Sequence, residues 1–525
     1  MLIKLLINLL LYILFIRMSL SLDRESYYRR IKRLYTGWKR EGSTISEQDA
    51  ILCAVGQNAE VIFYRYLFNM ISNPIFAVSS FGKSFNYFFS ESVSLQIWLF
   101  GYELSDTVIG FAKEKMFILT SKKKAEFFKP ICNPKGSENS EGTPTVTLLI
   151  RSKEGNQDNF NKLFDGLDGK KIGNFQKESF EGAFYKELKK DLKSRDLTLT
   201  DVSADIGMTL GVKEETEVSA TKKASVLTME IYNKVFKEYL METIDADRKV
   251  KHTKITAHIE EALKDKKKLL GIDPSNVESC YPPIIQSGGN YALKYSAQST
   301  KDPLHFGTVV AFIGIRYKNY CSNTVRTMMV NPTDDQRDVY TTILEAQEAG
   351  IDALRSGVKL NSVYQKVRSK LSESKFPQLA EKLGKNIGFG MGIDFRESAL
   401  LIGAKNDQVA KKGIFFLFLF VEVIFFISGM IFNFYVAVSD LTNSEAKDSK
   451  SKQYAICIGD TVLVNGEDQP ATVLTNGKKK AKNVSIFLKV MLLKIDRKGN
   501  FSFDFYIFRM ILVLLFTKPS KSDPY

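Results

Sequence analysis

Residues 303–333 constrain the fold of this chain more than any other segment. The run 308–315 (TVVAFIGI) is apolar enough for a buried strand, 316–319 (RYKN) turns, and 320–330 (YCSNTVRTMMV) returns as a second strand. All 31 residues pass without an aspartate or a glutamate. A two-metal hydrolytic centre is held and bridged by anionic oxygens at about 2.0 to 2.2 Å. Ile, Gly and Asn cannot supply that charge, so the hairpin is expected to serve structure and not metal chemistry.

The 525 residues are enough for two or three domains with sizeable cores, and 25% charged with 44% hydrophobic residues is ordinary for a globular chain. A net charge of +15 points to an acidic partner or environment, although no arginine-rich helix or zinc finger is present to read bases. The five cysteines lie far apart without a CxxC pair, which favours free thiols in a reducing compartment.

Along the chain, Tyr27, Ile31, Leu34, Tyr35 and Trp38 fall at helical spacing and predict a first helix. A strand over 50–56, a hairpin of TVIGFA and MFILTS, helical KKKAEFFKPI, strands over 145–152 and 171–175, a helix over 179–194 and strand LTLTDVS follow. This alternation predicts an α/β lobe ending near residue 205. Beyond it, Ala224, Leu227, Ile231, Val235 and Tyr239 form one helical stripe, and a second helix is expected from Asp245, as N-cap, to Leu270 before Gly271. Further helices are expected over 334–356 and 360–384, and strands at YAICIGDTVLV and QPATVLT.

The segments CYPPIIQSGGNYALKYSAQ, HFGTVVAFIGIRYKNYCSNTVRTMMVNP, KNIGFGMGIDFRESALLI and YAICIGDTVLVNGEDQPATVLTNGKKKAKNVSIFLK, with YYRRIKRLYTGW, LQIWLFGYELSDT and TSKKKAEFF, resemble the N-terminal region of the large subunit of the FACT histone chaperone. The resemblance covers most of 18–489. It implies two lobes: a smaller α/β N-terminal lobe over 18–205, and a larger α+β pita-bread lobe over 206–489 similar to creatinase and aminopeptidase P. It also implies a non-catalytic histone-binding module in the nucleus, on the chromosome, acting in nucleosome reorganisation during transcription, replication and repair. The implied partners are core histones and, through regions outside this sequence, the HMG-box small subunit, with a weak contact to DNA. No cofactor and no membrane are implied. An active pita-bread metallopeptidase and a membrane-anchored protein are the competing readings.

Matched to the active peptidases, five positions are expected to mark a degenerate active site: Lys294 near a substrate-handling histidine, Ile313 and Asn323 for the hairpin aspartates, Phe389 for a glycine-flanked histidine, and Ala455 for the last glutamate. The remaining glutamate has no assignable position, and the histone-contacting residues are not legible. His252 and His258, six residues apart, are expected as solvated helix residues, and His305 as a local hydrogen-bonding group. GFGMG at 388–392 reads as a tight backbone crossing, Cys321 as core, and the lysine runs 122–124, 266–268 and 478–482 as solvated faces. Glu214, Glu215 and Glu217, with Asp245 and Asp247, read either as surfaces for basic histones or as helix N-terminal charge.

Four apolar segments, 1–17, 65–88, 417–435 and 490–525, fall outside the resemblance. The run 414–438 is long enough to span a bilayer, and 1–16 has the character of a signal peptide or anchor. A span inside the sheet of a compact lobe would break its strand order, so the segments are read as inserts foreign to the fold, such as translated introns. They carry six of the fifteen net positive charges, leaving +9.

Overall fold

The computed structural model describes residues 21–57, 90–138, 142–411 and 429–488, and four strands outside these ranges. In the N-terminal lobe the elements run α1 (Arg24–Trp38), β1 (Ala50–Val55), α2 (Glu91–Phe100), β2 (Thr107–Ala112), β3 (Lys115–Thr120), α3 (Lys122–Phe128), β4 (Thr145–Ile150), α4 (Gln157–Leu167), β5 (Lys171–Asn174), α5 (Ala183–Ser194), β6 (Thr198–Asp201) and α6 (Ser203–Gly211). Asp23 caps α1 by accepting from the Ser26 amide at 3.2 Å, and the predicted stripe from Tyr27 to Trp38 is buried. The strands form one mixed sheet in the order β4-β3-β2-β1-β5-β6. One face packs on α1 and α2 through Ile109, Phe111 and Ile118; the other packs on α4 and α5 through Phe160, Leu163, Phe184 and Leu188.

The second lobe continues with β7 (Val212–Lys213), α7 (Glu215–Glu230), a π-helical turn (Ile231–Lys237), α8 (Glu238–Asp245), α9 (His252–Ala262), β8 (Val277–Ser279), β9 (Ile284–Ser287), β10 (Thr308–Tyr317), β11 (Tyr320–Val330), α10 (Asp334–Ala353), α11 (Leu360–Ser372), β12 (Asn386–Gly390) and β13 (Glu397–Gly403). The short strands β14 (Ile414–Leu419) and β15 (Glu422–Ile427) pair with each other. Then come β16 (Gly429–Thr442), β17 (Gln453–Leu463), β18 (Thr472–Val473) and β19 (Ser485–Ile486). The large sheet is ordered β13-β12-β16-β17-β11-β10-β8. Helices cover one face, with Leu227, Ile313, Ile343, Phe432 and Phe434 in that core. The other face gathers Tyr281, Phe312, Val325, Phe389, Phe395 and Cys457.

Several expectations change. Residues 429–435, assigned above to a foreign insert at 417–435, lie inside β16, paired with β12 through Asn433 and with β17 from Ile431 to Thr442. Phe432 and Phe434 point to the helix-side core, and Ile431 to the opposite one. A strand buried on both faces reads as a continuous apolar run, which is why it mimics a membrane span. Gly350 of α10 admits the Phe434 ring: a Cβ there would stand 2.4 Å from Phe434 Cζ. Among the described residues no helix is long and apolar enough to cross a membrane. The segments 1–17 and 65–88 lie outside the described residues, as does most of 490–525.

Around the expected lobe boundary at 205–206 the chain is helical in α6, whose Ile206 and Leu210 pack into the N-terminal core. Asp245 ends α8 instead of capping the next helix, and α9 is only 11 residues long, starting after Lys251. His252 is buried, not solvated; its Nε2 and Nδ1 lie 2.8 Å from Ser287 Oγ and 3.0 Å from Thr300 Oγ1. The glycine crossing holds: a Cβ on Gly388 would stand 2.7 Å from the Asn433 carbonyl oxygen.

Candidate functional site

The hairpin β10–β11 sets the geometry. Tyr317 pairs with Tyr320, so Gly314 stands opposite Asn323. Side chains alternate across a strand, so Phe312 shares a face with Asn323 while Ile313 turns to the helix-side core. Asn323 is fully buried. Its amide Nδ2 donates to Tyr295 Oη at 3.0 Å and to Asn433 Oδ1 at 3.0 Å, and its Oδ1 accepts from the Tyr281 hydroxyl. Asn433 Nδ2 donates to the same Tyr295 oxygen at 2.7 Å. Thr461 of β17 fixes the strand beside them, its hydroxyl accepting from the Asn323 amide at 2.8 Å and donating to the Asn323 carbonyl at 2.9 Å.

Aromatic rings close around this polar knot. The Tyr295 ring meets Phe312 at 5.4 Å, Phe389 at 5.4 Å, Phe395 at 5.0 Å and Tyr435 at 5.8 Å, in edge-to-face arrangements. Burial lifts the Tyr281 and Tyr295 phenols well above their usual range, so both stay neutral. No side chain of this cluster is an acid, a base or a nucleophile at neutral pH.

Of the five positions expected to mark a degenerate active site, the structure brings Asn323 and Phe389 together and displaces the other three. Lys294 is exposed; its neighbour Tyr295 occupies the centre. Ile313 is replaced at the cluster by Phe312. Ala455 is buried four residues away along β17, and the position of that strand opposite Val325 and Tyr435 is Gly459. Asn433, unassignable from the sequence, completes the set. Two signals could have found these residues: the strand alternation about the turn at Lys318 and Asn319, which puts 312 and not 313 on the face of 323, and the alternation Tyr291, Leu293, Tyr295, Ala297, which turns the odd positions inward.

The helix-side face of the same strands carries a second polar network that hydrophobic patterning did not reveal. The Arg326 guanidinium reaches Asp460 Oδ1 at 2.6 Å, and Asp460 Oδ2 accepts from Lys479 at 2.9 Å and Gln347 at 3.1 Å. Burial would raise the Asp460 pKa, but Arg326 and Lys479 overcome it and hold the carboxyl well below the usual carboxylate range. Charged residues inside otherwise apolar strands were the available signal. Glu214 and Glu217 are committed locally: they form the reciprocal cap of α7, Glu214 pairs with Arg29 at 3.0 Å, and Glu217 accepts from Tyr320 at 2.9 Å.

The donor set does not fit a divalent metal pair. Two carboxamides, three phenols and three phenyl rings offer no anionic oxygen at neutral pH and no imidazole. Among the described residues no group of three or more His, Cys, Asp or Glu is placed to hold a metal ion.

Comparison with known proteins sharpens this picture. Residues 73–205 match the FACT complex subunit SPT16 N-terminal lobe domain, and 219–467 match metallopeptidase family M24. FACT complex subunit SPT16 of Dictyostelium discoideum is 32% identical over 476 residues, 89% of this chain and 40% of that protein. The N-terminal domain of SPT16 from Cicer arietinum superposes with a TM-score of 0.75 at 27% identity, covering 89% of this chain and 100% of that domain. The chain is homologous to the N-terminal region of SPT16. It spans about two fifths of the length of its SPT16 relatives. The Xaa-Pro dipeptidase of Bacillus anthracis shares the fold alone, with a TM-score of 0.58 at 16% identity. The two-lobed α/β architecture with a pita-bread second lobe is thus common to SPT16 and to the dipeptidases, and the SPT16 relationship carries over the sequence as well as the fold.

Proposed function

We propose that this chain is a non-catalytic histone-binding module of a FACT-type chaperone, working in nucleosome reorganisation during transcription, replication and repair. The observation that carries the proposal is the amide–phenol knot of Asn323, Asn433 and Tyr295, enclosed by Phe312 and Phe389 on an M24-like sheet. Asn323, Phe389, Tyr295, Phe312, Asn433 and Gly459 are its degenerate active-site positions. A peptidase needs a hydroxide-generating metal and a general base there, and this set supplies neither. The partners are core histones, the HMG-box small subunit reached through regions outside this sequence, and weakly DNA; the location is the nucleus and its chromosomes.

Binding is tested by titrating the chain with core histone pairs at low and moderate ionic strength, with duplex DNA as competitor. Two basic molecules repel at long range, so histone affinity is expected to be modest, held by local patches, and shallow in its salt dependence. Undetectable histone binding beside tight DNA binding with a steep salt slope refutes the proposal, since counterion release is the signature of a nucleic-acid surface.

A further inference from the structure

The two lobes meet at a small, partly open cavity lined by Glu91, Ser94 and Trp98 of α2, Ile206 and Leu210 of α6, Lys213 of β7, Glu217 of α7, and Asp394 and Glu397 at the start of β13. It offers the centre of a water-sized body about 20 Å³, too little for an organic ligand. Its electrostatics are unbalanced. Asp394 and Glu397 are both buried, and among the described residues Asp394 Oδ1 and Glu397 Oε2 have no hydrogen-bond donor. The Lys213 ammonium, also buried, pairs with the other Glu397 oxygen and with the Leu210 carbonyl at 2.7 Å. Among the described residues Asp394 therefore has no cation of its own.

The groups facing Asp394 are mostly acidic. Glu91 approaches from α2, Glu178 from the loop before α5, Glu397 from β13 and the Cys321 thiol from β11. Glu217 of α7 bears on Glu397. The nearby arginines hydrogen-bond elsewhere, Arg30 to Glu214 and the Trp98 carbonyl, Arg33 to the carbonyls of Thr209 and Val212, although the Arg33 charge also bears on Glu397. An ionised carboxylate at Asp394 would sit desolvated among like charges, which is expensive.

We propose that this seam is a proton-binding contact: Asp394 is held as the neutral acid at neutral pH, and its ionisation loosens the N-terminal lobe from the C-terminal one. Ionisation breaks the Asp394 O–H bond and passes the proton to solvent, leaving a charge that the closed seam cannot solvate. Burial first, then Glu91, Glu397, Cys321 and Glu178, raises the Asp394 carboxyl far above its usual range. Burial likewise lifts Glu397 to about 7 against the pull of Lys213, and raises the neighbouring Glu178.

Sign and size follow from linkage. A carboxyl whose folded pKa is raised costs stability as pH rises above its unfolded value, and each linked proton changes the opening equilibrium by up to about tenfold per pH unit.

The experiment is native-state hydrogen exchange of the whole chain from about pH 6 to about pH 9, with the infrared carbonyl band of a protonated carboxylic acid as a second readout. The expected result is protection of α6, β7 and residues 391–398 that falls with pH, and an acid band at neutral pH. In D394N the slope should lose about one proton and the band the intensity of one acid. A structural role alone would lower protection equally at every pH. That result overturns the proposal, as does an unchanged slope in D394N. Should D394N fail to fold, the intact chain still decides: no acid band, or pH-independent protection at the seam, overturns it.

Discussion

Tyr295→Phe removes one oxygen and little else. In the structure that oxygen accepts from Asn433 Nδ2 at 2.7 Å and from Asn323 Nδ2 at 3.0 Å. Asn323 keeps a second acceptor in Asn433 Oδ1. Asn433 keeps none among its described contacts, and it is fully buried. One stranded amide donor costs about 1 to 3 kcal/mol, while the ring contacts to Phe312, Phe389, Phe395 and Tyr435 survive. Urea unfolding should therefore show a loss of about 2 kcal/mol, and heating a drop on the order of 5 °C in Tm. Tyr295→Ala, which also loses the ring, should cost about 3 to 5 kcal/mol. The decisive measurement is a mutant cycle in which Asn323→Ala and Asn433→Ala are introduced together, because with Asn433 alone removed Asn323 Nδ2 would depend on Tyr295 Oη as its remaining acceptor. With both amides truncated none is left to strand, so Tyr295→Phe should become nearly silent and the coupling should exceed about 1 kcal/mol. Additivity within about 0.5 kcal/mol would refute both the knot and the placement of residues 429–435 in the sheet.

The site chemistry predicts that Asn323→Asp alone gains neither a stoichiometric divalent metal nor dipeptide hydrolysis, checked by elemental analysis and a hydrolysis assay, because a two-metal centre needs its whole set of ligands. The new carboxyl, buried without a cation, should make the variant less stable as pH rises from about 5 to about 8, the reverse of a salt-bridged acid. Asp460→Asn should cost about 3 to 5 kcal/mol by leaving Arg326 buried and unpaired. Since the folded pKa of Asp460 is depressed, its contribution in the parent is present above about pH 4 and fades as pH falls through and below that value; pH-dependent unfolding of parent and variant should converge in acid. Deleting 417–428 should leave the second lobe folded, whereas deleting 417–435 removes half of β16 with Asn433 and should give insoluble protein; equal soluble yields would contradict the sheet order.

Residue types and their local spacing were enough to place most of the elements. Hydrophobic periodicity marked α1 and the stripe from Ala224 to Val235, the turn RYKN marked the hairpin, and the absence of acids in 303–333 already argued against a metal pair. The resemblance named Asn323 and Phe389, which the fold brings to one cluster around Tyr295. Which neighbours share a face was beyond its reach. Lys294 against Tyr295, and Ile313 against Phe312, differ by one residue, and in a strand one residue is the difference between the cluster and the far side of the sheet. Asn433 was hidden for another reason. Its strand is apolar on both faces because helices cover one side and the aromatic cluster the other, and only the assembled lobe distinguishes such a strand from a membrane span. The seam at Asp394 is likewise invisible before folding, since its carboxylates come from both lobes and acquire their electrostatic cost only when the packed lobes exclude water from between them.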